Sequence, residues 1–178
     1  MGGEKAYKDC GVPLIRSQNV NDNQVNLSDV VFIDEVTDDS MSNSRVYTGD
    51  VLLNITGASI GRSAVYLLTQ HANVNQHVCI IRPVTSYNAK FIQLNLSSDD
   101  GQRKINESQA GGARQGLNFE QIGRITFAFP SFQEQKMIGS YFQKLDDIIT
   151  LHQREQKILF LVRFWAFFIF IQQGAEVL

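Results

Sequence analysis

From Ser131 onward the chain meets only one helix breaker, Gly139, before Gly174. Ser131-Phe132-Gln133-Glu134 follows Pro130 directly and has the form of a capping box, the sequence mark of a helix start. Behind it run two heptad series: Ile138, Leu145, His152, Leu159, Ala166, and Tyr141, Ile148, Glu155, Val162, Ile169. Phe142 and Ile149 widen the stripe. This spacing predicts one long helix over 131–173, about 65 Å in length at roughly 1.5 Å per residue. A domain of this size cannot cover such a stripe, so the helix must find a partner. The expected contact residues are Ile138, Tyr141, Phe142, Leu145, Ile148, Ile149, Leu159 and Val162. The polar pair His152 and Glu155 sits mid-helix, where it could set the register of a coiled coil.

The helix leaves residues 1–130 to form a domain, with 131–178 as the helical appendage. Hydrophobic residues make up 43% of the 178, enough for a real core. Val12 to Val20 reads as a short strand entering a loop. Asn21 to Ser44 is polar and acidic and reads as a surface excursion. Val51 to Ile55 is a buried strand, Ser63 to Leu68 its return, and Val78 to Arg82 another strand closed by Pro83. Asn88 can cap a helix over Ala89 to Leu96, and Asn118 with Gln121 can start a second. Ile125 to Phe129 alternates like a strand. The class is α+β: a compact mixed-sheet domain with short helices, then one long coiled-coil-forming helix.

Charge separates the segments. Residues 1–50 hold 4 basic and 9 acidic side chains, whereas residues 51–130 hold 7 and 4. The overall charge of −2 argues against a polybasic nucleic-acid binder. An anion-facing surface therefore belongs to the middle of the chain. Two glycine-rich loops lie there, Thr56-Gly57-Ala58-Ser59-Ile60-Gly61-Arg62 and Gly111-Gly112-Ala113-Arg114-Gln115-Gly116. Each lets the backbone approach another molecule, and each carries a guanidinium. Arg103 and Lys104 lie between them. Arginine suits phosphate and guanine, and glutamine suits adenine. The candidates for contact with an anionic or polar partner are Ser59, Arg62, Arg103, Lys104, Arg114 and Gln115. The 12 Asn and 16 Gln add neutral groups that both donate and accept hydrogen bonds.

Catalytic patterns are missing. TGASIGR is neither a Walker A loop nor GxGxxG. No Asn-Pro-Pro or Asp-Pro-Pro segment occurs. Glu134-Gln135-Lys136 has the ExK spacing of nucleases but opens a helix, 34 residues after the acidic pair Asp99 and Asp100. His71, His77 and Cys79 fit no zinc spacing. No catalytic residue, metal or cofactor is expected in this chain. Cys10 and Cys79 stand far apart and belong to no CxxC, which fits a reducing compartment. The N-terminal MGGEKAYKDCG has no apolar signal core, so a cytoplasmic location is expected. The apolar run Ile158 to Ile171 is 14 residues long with Arg163 inside, too short to span a membrane.

The order of these elements resembles the specificity (S) subunits of type I restriction–modification enzymes, from about residue 11 to residue 159. The match rests on Gly49, Asp50, Leu52, Leu53, Thr56, Gly57 and Gly61, on Gln115 and Ile122, and on Pro130, Glu134, Gln135 and Ile138. Leu145-Asp146 and the helix after them resemble the family's spacer helix. The resemblance implies a non-catalytic DNA-binding protein. Target-recognition domains of that family each read half of a gapped site in double-stranded DNA. Long helices hold the domains apart, and modification (M) subunits dock there with S-adenosylmethionine to methylate adenine. A restriction (R) subunit can join them. The chain then reads as a half-size subunit with one recognition domain, pairing with a second copy through its helix. A competing expectation is an S fragment that pairs through its helix without reading DNA.

Overall fold

The alternation of Val51-Leu52-Leu53 organises the core, because its two faces meet two different layers. The computed structural model describes residues 7–109 and 116–175, with side chains through residue 165. The first half holds β1 (Val12–Ile15), β2 (Val20–Asn21), β3 (Gln24–Val25), β4 (Val31–Ile33), α1 (Glu35–Ser40) and β5 (Arg45–Val46). Next come β6 (Val51–Asn54), β7 (Ser63–Val65), β8 (Ala72–Val74) and β9 (Val78–Ile81). Helices α2 (Ala89–Ser97), α3 (Asp99–Gln109), α4 (Phe119–Gly123) and α5 (Phe132–Ala175) complete the order.

A four-stranded sheet has the order β4-β1-β8-β5, and a three-stranded sheet has the order β7-β6-β9. Strands β1 and β8 run parallel, with Leu14 opposite Asn73; the other pairings are antiparallel. Pro13 lies just outside the stretch of β1 that pairs with β8, where its missing N–H breaks no ladder bond. Leu52 of β6 packs with Ile15, Val46, Ala72 and Val74 of the four-stranded sheet. Val51 and Leu53 face the other way, onto Leu96 of α2, Ile105 of α3 and Leu117. The period-2 geometry of one strand thus stacks the smaller sheet between the larger one and the helices.

Four expectations change. Asn21–Ser44 is more than an excursion: it holds the β2–β3 hairpin, strand β4 of the main sheet and α1. Residues 99–109 form a helix that the sequence reading did not expect, with Gly101 inside it. The stretch Ile125–Phe129 keeps its alternation but joins no ladder. Ile125 and Phe127 pack into the core, while Phe129 meets Tyr87 edge-on at 4.9 Å and lies 5.6 Å from Phe91. Side-chain packing therefore does the work expected of strand pairing. The return strand after β6 ends at Val65, short of Leu68.

The start of α5 is welded to the domain. Ser131 and Glu134 bond reciprocally, Ser131 N donating to Glu134 Oε2 at 3.0 Å and Glu134 N to Ser131 Oγ at 3.4 Å. Gln135, 2% exposed, accepts from Asn88 N at 3.0 Å and donates to Pro130 O at 2.9 Å. A Cβ on Gly139 would come within 2.6 Å of Asn88 Oδ1, the oxygen that caps α2, so glycine allows this approach without disturbing the cap. The compact unit accordingly runs through Gly139. The second unit, from Ser140 on, is the remainder of α5. No side chain from Ser140 to Trp165 is buried. Helix α5 has 44 residues, about 66 Å at roughly 1.5 Å per residue. Among the described residues no helix is long and apolar enough to cross a membrane.

Candidate nucleic-acid interface

The loop after β6 is shaped by glycines at positive φ, Gly57 at 71° and Gly61 at 87°. A short 3-10 turn over Gly57–Ser59 carries Ser59, which is half-buried. At the near end, Thr56 Oγ1 lies 2.6 Å from His77 Nδ1. Thr56 also bridges Gly116, and Leu117 N donates to Ile55 O at 2.8 Å. The second glycine loop is therefore anchored on the first, although its residues Gly111, Gly112, Arg114 and Gln115 lie outside the described residues. At the far end Gly61 touches α3: Gln102 Nε2 donates to Gly61 O at 3.0 Å. A Cβ at Gly61 would lie 2.6 Å from Gln102 Oε1.

Arg62 sits at this far end and is exposed. It lines a cleft of about 400 Å³ with Asn21, Asp22, Asn23, Ser63, Ser97 and Gln102. The hairpin tip lines the same cleft. Among the described residues the Arg62 guanidinium has no hydrogen bond and no ion pair. Every other described arginine of the compact unit is engaged. Arg16 pairs with Asp29, Arg45 with Asp38 and Asp39, Arg82 with Asp50, Arg103 with Asp100 and Glu107, and Arg124 with Glu120. Among the described residues of the compact unit, Arg62 is the one arginine whose guanidinium has no such partner.

The remaining candidates stand differently. Arg103 keeps its charge between Asp100 and Glu107, with Glu107 Oε1 at 2.8 Å. Lys104 donates to Thr126 O at 2.8 Å, meets Asp100 Oδ2 at 2.6 Å and lies 4.8 Å from the Phe127 ring centre. It fastens the segment after α4 onto α3. Arg103 is thus paired within α3, Lys104 ties α3 to the segment that follows α4, and Ser59 and Arg62 share the first loop. The sequence reading missed the hairpin tip and Gln102. Both had signals: Asp22-Asn23 between Val20 and Val25 is two-residue turn chemistry, and Asp100 with Lys104 and Arg103 with Glu107 are helical i,i+4 pairs.

Two buried groups near the cleft are orphaned. Ser63 Oγ and Gln93 Oε1 have no hydrogen-bond partner among the described residues. Each costs on the order of 1–3 kcal/mol. By contrast Asp50, 2% exposed, is fully used: it accepts from Tyr47 N and twice from Arg82. Asp38 is likewise buried, and hydrogen bonds led by Arg45 hold its carboxyl below the usual range. Burial pushes the Cys79 thiol up to about 11. Among the described residues no three His, Cys, Asp or Glu side chains converge as a metal site.

Against known proteins, residues 5–159 match the family model described as the type I restriction modification DNA specificity domain. The chain belongs to this specificity-domain family. It is 30% identical over 138 residues to the type I restriction enzyme EcoBI specificity subunit of Escherichia coli, covering 76% of this chain and 28% of that subunit. It is 20% identical over 168 residues to a putative type I restriction enzyme MjaX specificity subunit of Methanocaldococcus jannaschii, covering 87% and 38%. The fold matches the HsdS subunit from Thermoanaerobacter tengcongensis with a TM-score of 0.59 at 15% identity, over 87% of this chain and 35% of that one. A chain from a structural study of complex assembly and conformational transition in a type I R-M system matches at 0.62 and 14%, over 88% and 36%. The chain thus spans about a third of the length of these relatives. Within the specificity-domain family, the motif residues Asp50 and Gln135 prove structural: one ties β6 to Arg82, the other ties α5 to α2.

Proposed function

We propose that this chain is a DNA-reading domain of a type I restriction–modification complex, without chemistry of its own. The unpaired Arg62, facing an amide-rich cleft beside the glycine loop, carries the reading. A free guanidinium fixes a phosphate, and neutral amides discriminate base edges. The family membership supports DNA sequence recognition as the role. The domain reads one half of a gapped site, with residues 1–130 as the recognition domain and 131–178 as the spacer. Arg114 and Gln115 of the second loop join Arg62 at the DNA. M subunits dock on the assembly, supply S-adenosylmethionine and methylate adenine, and an R subunit joins them; the cytoplasm holds the complex.

Helix α5 supports partner pairing. Ile138, Tyr141, Phe142, Ile148, Ile149, Leu159 and Val162 are all exposed, and Leu145 is half-buried. A second copy pairing antiparallel through this stripe gives an isologous dimer and an inverted-repeat site. Selection from a randomised duplex pool tests the DNA role. Enrichment of a motif is expected, and enrichment of none leaves the competing reading, an interaction helix that does not read DNA. Equilibrium sedimentation of the chain and of its Ile148→Asp, Leu159→Asp double variant tests the pairing. A dimer that the variant turns monomeric is expected; a monomeric parent refutes it.

A further inference from the structure

We infer that the tip of the β2–β3 hairpin reads a base, with Asn23 as a specificity-determining side chain and Gln93 as the residue that positions it. This rests on the DNA-reading role proposed above. The two tip residues, Asp22 and Asn23, adopt φ of 50° and 60°. That is a two-residue turn of the type that glycine holds with least strain. The tip instead carries two polar side chains, both exposed.

The hairpin is rigidly presented. Fully buried Asn19 donates to Asn26 O at 2.9 Å and to Asp29 Oδ1 at 2.8 Å, closing the base of the hairpin. Asn54 reaches up from β6 to Ser17 O at 2.8 Å. At the tip, Asn23 Oδ1 accepts from Gln93 Nε2 at 2.8 Å. Gln93 lies on α2 with 0% exposure. This bond orients the Asn23 amide, whose Nδ2 has no partner among the described residues. Two N–H donors at a fixed angle suit acceptors on a base edge, such as guanine O6 and N7 or thymine O4.

Charge selects base over phosphate. Asp22 lines the same cleft and accepts from Asn21 Nδ2 at 2.7 Å. A carboxylate at the tip repels phosphate but tolerates a base amino group. Arg62 lines the cleft as well and is suited to the phosphate itself. The arrangement places one backbone contact and one base contact in the same cleft. Gln93 also keeps a buried Oε1 without a partner among the described residues, an expense that packing alone does not require.

The test repeats the randomised-duplex selection with the full chain and with Asn23→Ala and Gln93→Met. If the parent enriches no motif, the DNA-reading role fails. With a parent motif in hand, Asn23→Ala should lose preference at one base position, on the order of tenfold, and keep the others. Its salt dependence should match the parent's. Gln93→Met should lose preference at that same position while its melting temperature holds. Unchanged preference at every position in Asn23→Ala overturns the inference, as does an equal loss at all of them. Should Gln93→Met not fold, the surface variant Asn23→Ala decides alone.

Discussion

Replacing Arg62 by alanine separates phosphate contact from stability. The side chain is exposed and, among the described residues, touches no acid, so its loss strands no buried partner. Such surface changes stay within about 0.5 kcal/mol of stability. Bound to DNA, a guanidinium–phosphate contact is a charge-assisted bond worth roughly 1.5–3 kcal/mol. Taking the lower end, affinity for the selected duplex falls about tenfold, since roughly 1.4 kcal/mol is a factor of ten. One phosphate contact fewer also lowers the slope of log affinity against log salt by about 0.9. Fluorescence anisotropy between about 50 and 200 mM salt reads both quantities. Arg103→Ala is the internal comparison, because Asp100 and Glu107 already hold that charge. Adding Arg114→Ala should deepen the Arg62 loss. An unchanged slope in Arg62→Ala, or a melting temperature that falls with affinity, refutes the reasoning.

Three further outcomes follow from the packing and the titrating groups. Gly101→Ala would place a Cβ within 1.9 Å of Asn95 O, so α2 and α3 must part, at a cost of about 1–3 kcal/mol in denaturant unfolding; the gain normally expected of Gly→Ala in a helix would contradict this. Of the two thiols, exposed Cys10 should react rapidly with a disulfide reagent, while buried Cys79, raised to about 11, should wait for denaturant; two equally fast thiols would contradict the burial of β9. Hydrogen bonds, first from Arg45 and then from Asn73 and His71, outweigh burial and hold the Asp38 carboxyl below its ordinary value. A depressed folded value stabilises above the unfolded one, about pH 4, and that stability is lost as pH falls through the folded value. Melting temperature should therefore drop on acidification below about pH 4, and a rise there would contradict the assignment.

The sequence made some of this legible because the signal was local. The Asn88 cap, the Asn118–Gln121 box and the Ser131–Glu134 box are patterns of residues three positions apart, and each bonds as its spacing requires. The apolar run at Val51 announced a buried strand for the same reason. Other features needed contacts distant in sequence. Strand β8 pairs in parallel with β1 across some sixty residues, which no local pattern reveals. Lys104 drew attention as a cation between the two glycine loops, and its contacts with Thr126 and Phe127 come from far along the chain. Asn23 gained meaning only from Gln93, 70 positions away. Arg62 was nameable from its glycine-flanked loop, yet its distinction from the other arginines depends on where every acid lies.

Adenine methylation mapped across the genome tests the central claim most directly. Cells carrying a type I modification subunit are compared with and without this chain. If the chain chooses the DNA sequence for such a complex, N6-methyladenine appears at one gapped motif only when the chain is present. A palindromic motif corresponds to two copies paired through α5, and an asymmetric one to completion by another recognition domain. The same methylation pattern with and without the chain would contradict the account.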